Sequence, residues 1–382
     1  MSEYQYYEFQ TVDRPLTALE QQELRALSTR ARITATSFVN SYEWGDFKGN
    51  PSRLMERYFD LHLYLANWGS RHFSLRLPGK LVDRNLLDAF LGEVDIAEVR
   101  SCGDNLLIEI VRDELDVDDF EDGSGRLAAL STLRADILSG DLRMFYLLWL
   151  TAVEADVFEL EEPEPMAGIG PLNAGLKAFA EFFQIDDDLV AAAAERNAYP
   201  VADELTRDDV EAAIASLPEV DRTGFLMRLH DGDAHVGAEL RKRVRTSLRS
   251  KVTQTPVIAR SVGALRACAA AMAHERQAMA KSAATKELAR KAKEEADARA
   301  KRLDSLSRRG ESVWREVERE IEFRNATSYD RAARLLVDLR DIATTAGSSN
   351  DFNRRLAGTI HRHSKKKSFL ERLRALRFDV DE

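Results

Sequence analysis

The stretch ALRACAAAMAHERQAMAKSAATKELARKAKEEADARAKRLDSLSRR, residues 264–309, contains no glycine and no proline and is built mainly from Ala, Lys, Arg, Glu and Leu. These side chains lose little freedom in a helix, so the segment predicts one continuous helix. At 1.5 Å per residue it would be on the order of 70 Å long, more than an ordinary domain is wide. Few large apolar residues fall within positions 280–300. A well-packed dimeric coiled coil is therefore excluded there, and a solvent-bridging helix is expected.

Toward the C-terminus, helical spacing predicts shorter helices over residues 312–323, 329–345, 351–357 and 368–376, with Ser328 and Asn350 as caps. Toward the N-terminus, Thr206 caps an amphipathic helix that carries Val210, Ala213, Ile214 and Leu217 on one stripe and ends at Pro218. Residues 159–171, ELEEPEPMAGIGP, are expected to form a long protease-accessible loop, and residues 113–122, DELDVDDFED, a solvated acidic connection. Between these two, residues 127–153 read as two buried helices broken at Gly140.

The first 111 residues mix alternating and helical runs. Strands are expected over residues 4–12, over 37–44 with Phe38, Tyr42 and Trp44 on one face, around Phe73, Leu75 and Leu77, and over 106–111. Thr17 and Glu20 have capping-box spacing, and Leu54, Tyr58, Leu61 and Leu65 predict a helix over residues 53–68. The fold class expected is α+β: an acidic mixed α/β domain over 1–200, a short helical segment over 201–255, and a basic, all-helical extended region over 256–382 with a long, partly exposed helix.

Charge follows the same division. The 55 Lys+Arg and 65 Asp+Glu give a net charge of -10, yet from residue 241 onward there are 34 basic and 19 acidic residues, against 21 and 46 before it. Opposite fields of this size attract within a Debye length of about 8–10 Å, so the basic part either seeks polyanions or neutralises its acidic neighbour.

Two cysteines, Cys102 and Cys268, exclude a disulfide framework and a four-thiolate zinc site. The N-terminal residues MSEYQYYEF lack a signal-peptide pattern and no run approaches the ~20 apolar residues of a membrane span, so a cytoplasmic protein with no membrane partner is expected. GIGPLNAG fails the dinucleotide fingerprint, and no P-loop or GxSxG elbow occurs. The acidic run fails as an EF-hand: with Gly123 at the obligatory glycine position, Ala129 falls where the bidentate glutamate belongs. His361 and His363 flank Arg362 and precede three lysines, which opposes metal binding. No metal and no cofactor are expected.

The segments ASLPEVDRTGFLMRLHDGDAHVGAELRKRVR, SVWREVERE, YDRAARLLVDLRDIA and HRHSKKKSFLERLR, in this order, resemble the helical C-terminal region of bacterial SWIM zinc finger family proteins over roughly residues 205–377. The CxC and CxH ligand pattern that names that family is absent, so zinc does not carry over. RARITATSFVNSYEWGDFKGNP and LYLANWGSRHFSLRLP resemble a group of uncharacterised bacterial proteins and imply no activity.

Three constellations are candidates for function. Asp46-Phe47-Lys48 fits half of a metal-dependent nuclease site, with Asp13 the nearest choice for the further carboxylate; the alternative is a plain turn between Gly45 and Gly49. Tyr42, Trp44, Phe47 and Trp68, with Phe73 beside them, form either a platform for a partner or an ordinary core corner. Two basic clusters, Arg241, Lys242, Arg243, Arg245, Arg249 and Lys251, then Arg362, Lys365, Lys366, Lys367, Arg372 and Arg374, suit phosphate contact or a solvated face. The expectation is a non-enzymatic adaptor that binds an unidentified protein partner, with nucleic acid a further ligand of its basic helical region. The alternative is a nuclease at Asp46 and Lys48.

Overall fold

Alternation of side chains over the first 112 residues builds a single sheet in the computed structural model, which describes residues 3–117, 120–196, 206–251 and 259–378. Strands β1 (Gln5–Gln10), β2 (Arg32–Ile33), β3 (Ser37–Tyr42), β4 (Leu61–Ala66), β5 (Arg71–Pro78), β6 (Ala97–Cys102) and β7 (Asn105–Arg112) take the order β2-β3-β1-β4-β5-β7-β6. Every pair is antiparallel, and mostly helical chain follows, as the α+β expectation requires.

β4 corrects the helix expected over residues 53–68. A short helix, α2 (Pro51–Arg57), is capped by Asn50, whose side chain accepts from the Arg53 N–H, and the chain then turns into the central strand. Leu54, Tyr58, Leu61 and Leu65 satisfy helical spacing, but every residue of β4 is buried. Leu61, Leu63 and Leu65 enter one core, while Tyr64 and Ala66 enter the other. Leucine alternates there with His62, Tyr64 and Ala66, but in a strand flanked by β1 and β5 and covered on both faces no solvent-facing stripe separates that period from helical spacing.

The first face of the sheet packs on α3 (Arg84–Leu91), α4 (Arg126–Leu130), α5 (Thr132–Leu138), α6 (Arg143–Glu154), α7 (Ala174–Phe182) and α8 (Asp187–Ala194). Residues 144–153 of α6 are all buried, as their apolar run predicts. The second face packs on α2 and on α1 (Ala18–Leu27), whose start shows the expected Thr17–Glu20 capping box.

The segment expected to be a protease-accessible loop at 159–171 forms no helix or strand and is exposed over 159–163, but from Glu164 to Gly170 it is held against the body. Pro163 bridges to Ser261, the Val262 and Gly263 N–H groups donate to the Glu162 and Leu160 carbonyls, and the Glu164 side chain is fully buried. Glu164 Oε2 lies 3.1 Å from Arg260 Nε and accepts from the Tyr146 hydroxyl at 2.6 Å, while Arg196 approaches Oε1 at 3.6 Å. Burial, then the neighbouring Glu164, pushes the Tyr146 phenol far above its usual range. Gly168 adopts φ +88, and a Cβ there would collide with the Arg196 carbonyl. Glu159, Glu161 and Glu162 stay exposed, and Glu164 alone of these acids is buried, as a counter-ion.

Beyond it lie α9 (Arg207–Ala215), α10 (Glu219–His230), α11 (Val236–Lys251) and α12 (Val262–Arg309), the single long helix expected. Four more helices complete the chain: α13 (Glu311–Glu322), α14 (Ala326–Thr345), α15 (Ser349–Arg362) and α16 (Lys367–Ala375). Asn325, not Ser328, caps α14, its side chain accepting from the Ser328 N–H, and Asn350 lies inside α15.

The expected boundaries at 200/201 and 255/256 lie outside the described residues. Internal contacts divide the chain into two units, Met1–Arg276 and Gln277–Glu382, with α9, α10, α11 and the start of α12 in the first. The second unit has its own core, in which Val313, Val317 and Ile321 of α13 meet Tyr329, Leu336, Phe369 and Leu373.

Candidate interaction surfaces

The aromatic candidates cluster at one end of the sheet but do not form one platform. Gln5 pairs with Tyr42 on one side and Ala66 on the other, which brings the end of β3 and the turn after β4 to the start of β1. Trp44, just beyond β3, is 79% exposed, and Trp68, in the turn after β4, is 47% exposed. Tyr42 is half-buried, its hydroxyl accepting from Asn40 at 2.6 Å. Phe47 instead belongs to the core, its ring 5.1 Å from Tyr7 and 5.7 Å from Phe38, and Phe73 is fully buried. A Phe in a Gly-bounded turn can fold back over the sheet, and burial of its ring favours that course.

The same register separates the candidate nuclease residues. Asp46 accepts from Gln5 Nε2 at 3.0 Å, at the start of β1, and Lys48 is exposed. Asp13 lies past the other end of that strand, roughly 17 Å away along the backbone. There it binds Arg134 at 2.7 Å and faces His235 at 3.5 Å. Asp13 therefore belongs to a different cluster, centred on buried Asp60. Asp60 accepts from the Val12 and Asp13 N–H groups and from Arg76, with Arg134 at 3.9 Å. Burial pushes the Asp60 carboxyl up, but those N–H groups and the two guanidiniums outweigh it and hold the group below the usual range. Among the described residues no group of three His, Cys, Asp or Glu side chains is arranged to hold a metal ion.

The first basic cluster lies on α11, which packs on α5, α9 and α10. Arg241 donates to the Ser139 hydroxyl, Arg245 to the Ser139 carbonyl at 3.2 Å, and Lys242 to the Leu81 carbonyl at 2.8 Å. Ser139 is the C-cap of α5, so two cations sit where the carbonyl end of a helix is electronegative. Arg243 faces Asp221 at 3.6 Å. The side chains of Arg249 and Lys251 lie outside the described residues.

The second cluster divides. Arg362 binds Glu318 at 2.5 Å, Lys366 donates to the Ile321 carbonyl at 2.9 Å, and Arg372 binds Asp330 at 2.5 Å. Lys365, Lys367 and Arg374, together with Arg377, make no side-chain hydrogen bond or ion pair among the described residues.

One surface was not singled out from sequence. α10 buries none of its side chains. Val220 and Met227, seven residues apart, share one side; Leu226 and Leu229 lie on another, and these four are 82%, 56%, 66% and 62% exposed. The available signal was the dense run FLMRL between Pro218 and Gly232, whose apolar residues fit no single stripe.

No family model, curated protein or solved structure matches the chain. Among the described residues no helix is long and apolar enough to cross a membrane.

Proposed function

We propose that this chain is a non-enzymatic interaction protein, an adaptor whose first unit binds a protein partner through α10 and whose second unit presents a cationic surface to an anionic one. The carrying observation is α10 itself. A helix with large apolar side chains on several sides is ordinarily a buried helix. Here those side chains face solvent, a pattern that marks protein contact surfaces. Lys365, Lys367, Arg374 and Arg377 support the second contact, because cations with no ion-pair partner among the described residues release counterions when they meet a polyanion. The Asp-x-Lys nuclease receives no comparable support, since Asp13 is engaged with Arg134 at the far end of β1.

The test is site-specific photo-crosslinking in the native cell. A photoreactive residue at Leu226 or Met227 should give a discrete heavier species, whereas one at exposed Asp208 should not. The triple variant Leu226→Asp, Met227→Asp, Leu229→Asp should lose that species while keeping its melting temperature, because none of the three is buried. Crosslinks that are absent, or equal at Asp208, would overturn the reading.

A further inference from the structure

We propose that the groove between α15 and α16 docks an acidic, amphipathic α-helix of a partner protein; this deepens the adaptor reading by naming the ligand class of the second unit. α15 and α16 each pack on α14, leaving between them a groove of about 1120 Å³. Its walls carry cations from two helices and the turn after them, Arg340 of α14, Lys367 and Arg374 of α16, and Arg377, with His361 of α15 beside them. Glu371 is the one acidic side chain among the described residues that line it. Lys367, Arg374 and Arg377 have no partner among the described residues, and Arg340 spends itself on the Leu376 carbonyl and the Phe378 ring rather than on a carboxylate.

Charge alone would suit any polyanion, and the floor decides between them. Leu356 and Ile360 of α15 face Leu370 of α16 across the groove, with Ile360 and Leu370 only half-buried. An apolar floor rimmed by cations complements a helix with an apolar stripe flanked by Asp and Glu. A nucleic-acid single strand on a groove of this kind would use exposed rings for base stacking, and a duplex, held through its phosphates, would gain nothing from an apolar floor. The two rings here are already engaged: Phe352 packs on Trp314 at 5.8 Å and on Phe378 at 6.2 Å, and both phenylalanines are buried. α15 spans 14 residues, which sets the length of helix that the groove can accompany.

The experiment is fluorescence anisotropy on the full chain with a labelled peptide of the same 14 residues, leucines at i, i+3, i+4 and i+7 and glutamate elsewhere. A peptide of identical composition in scrambled order, a DNA duplex and a DNA single strand serve as comparison probes. The patterned peptide should bind roughly tenfold more tightly than the scrambled one. Lys367→Glu with Arg374→Glu should weaken it by at least that factor. Arg331→Glu with Arg334→Glu, the same charge change at exposed positions that do not line the groove, should weaken it far less. Ala357→Trp, at an exposed lining position, should block binding by filling the space without disturbing the core. Equal binding of both peptides, tighter binding of DNA, or indifference to Ala357→Trp would overturn the inference. Those outcomes leave the α10 crosslink untouched, so failure here is distinguishable from failure of the adaptor reading.

Discussion

The two basic clusters have similar compositions and opposite fates. On α11, Arg241 and Arg245 converge on the C-cap of α5 and Lys242 reaches the Leu81 carbonyl, so three cations staple the first unit together. Around α15 and α16, Arg354, Arg355, Arg362, Lys366 and Arg372 are consumed internally while Lys365, Lys367, Arg374 and Arg377 remain unpartnered among the described residues. Both units also bury acids: the first encloses Glu164 and Asp60 as well as His62, and the second encloses Asp338, which pairs with the exposed Arg302, while Asp341 pairs with the exposed Arg299. A cation near an exposed carbonyl end of a packed helix acts as structure; the same residue beside an open groove remains available for a ligand.

The sharpest way to break this contrast is to remove a buried counter-ion. Glu164→Ala leaves Arg260 half-enclosed with no carboxylate, and the first unit should lose about 3–5 kcal/mol in denaturant unfolding. Protease should then cut within residues 164–170, which are buried or half-buried in the parent chain and should resist cleavage there. A loss below ~1 kcal/mol would show that the loop is held by something other than this ion cluster.

A second test uses pH. His62 is fully buried against the Phe9 ring, 4.2 Å between centroids, and burial, followed by the charge of His72, lowers its pKa to about 3. The unfolded imidazole titrates near 6.5. Between those values the unfolded chain binds a proton that the folded chain does not, so stability is full above pH ~6.5 and falls as pH drops. The slope from this group is about 1.4 kcal/mol per pH unit, giving roughly 2 kcal/mol between pH 6.5 and 5, above the main carboxylate range. His62→Phe should flatten that decline in denaturant titrations; an unchanged slope would refute the assignment.

The smallest effects compare the clusters directly. Arg241→Ala with Arg245→Ala should cost about 1–2 kcal/mol, discounted for the partial exposure of both groups. Lys365→Ala with Lys367→Ala should stay within about 0.5 kcal/mol. Equal costs would erase the distinction on which the second surface rests.

Local signals were legible where the physics is local. Thr17 and Glu20, and Thr206, fixed helix starts because a cap is satisfied within three residues of its donor. The long helix of 264–309 followed from the absence of breakers, and α6 from an unbroken apolar run. At β4, Leu61, Leu63 and Leu65 alternate as in a strand, but Leu54, Tyr58, Leu61 and Leu65 fit helical spacing equally and both faces are buried, so the sequence did not separate the two. The loop at 159–171 was legible, but not the burial of Glu164 within it, because its partners are Tyr146 and Arg260, far away in sequence. Phe47 was open between platform and core corner for the same reason: its neighbours Tyr7 and Phe38 come from two other strands.

What the sequence alone determined is the inventory: an acidic α+β portion and a cationic helical portion that includes a long helix. Tertiary structure decided which charges are spent. Pairing is set by distances of a few ångströms between residues remote along the chain, and composition contains no record of those distances. Thus Arg241 and Lys367, indistinguishable as basic residues in a helical context, became a staple and a groove wall with no ion pair among the described residues.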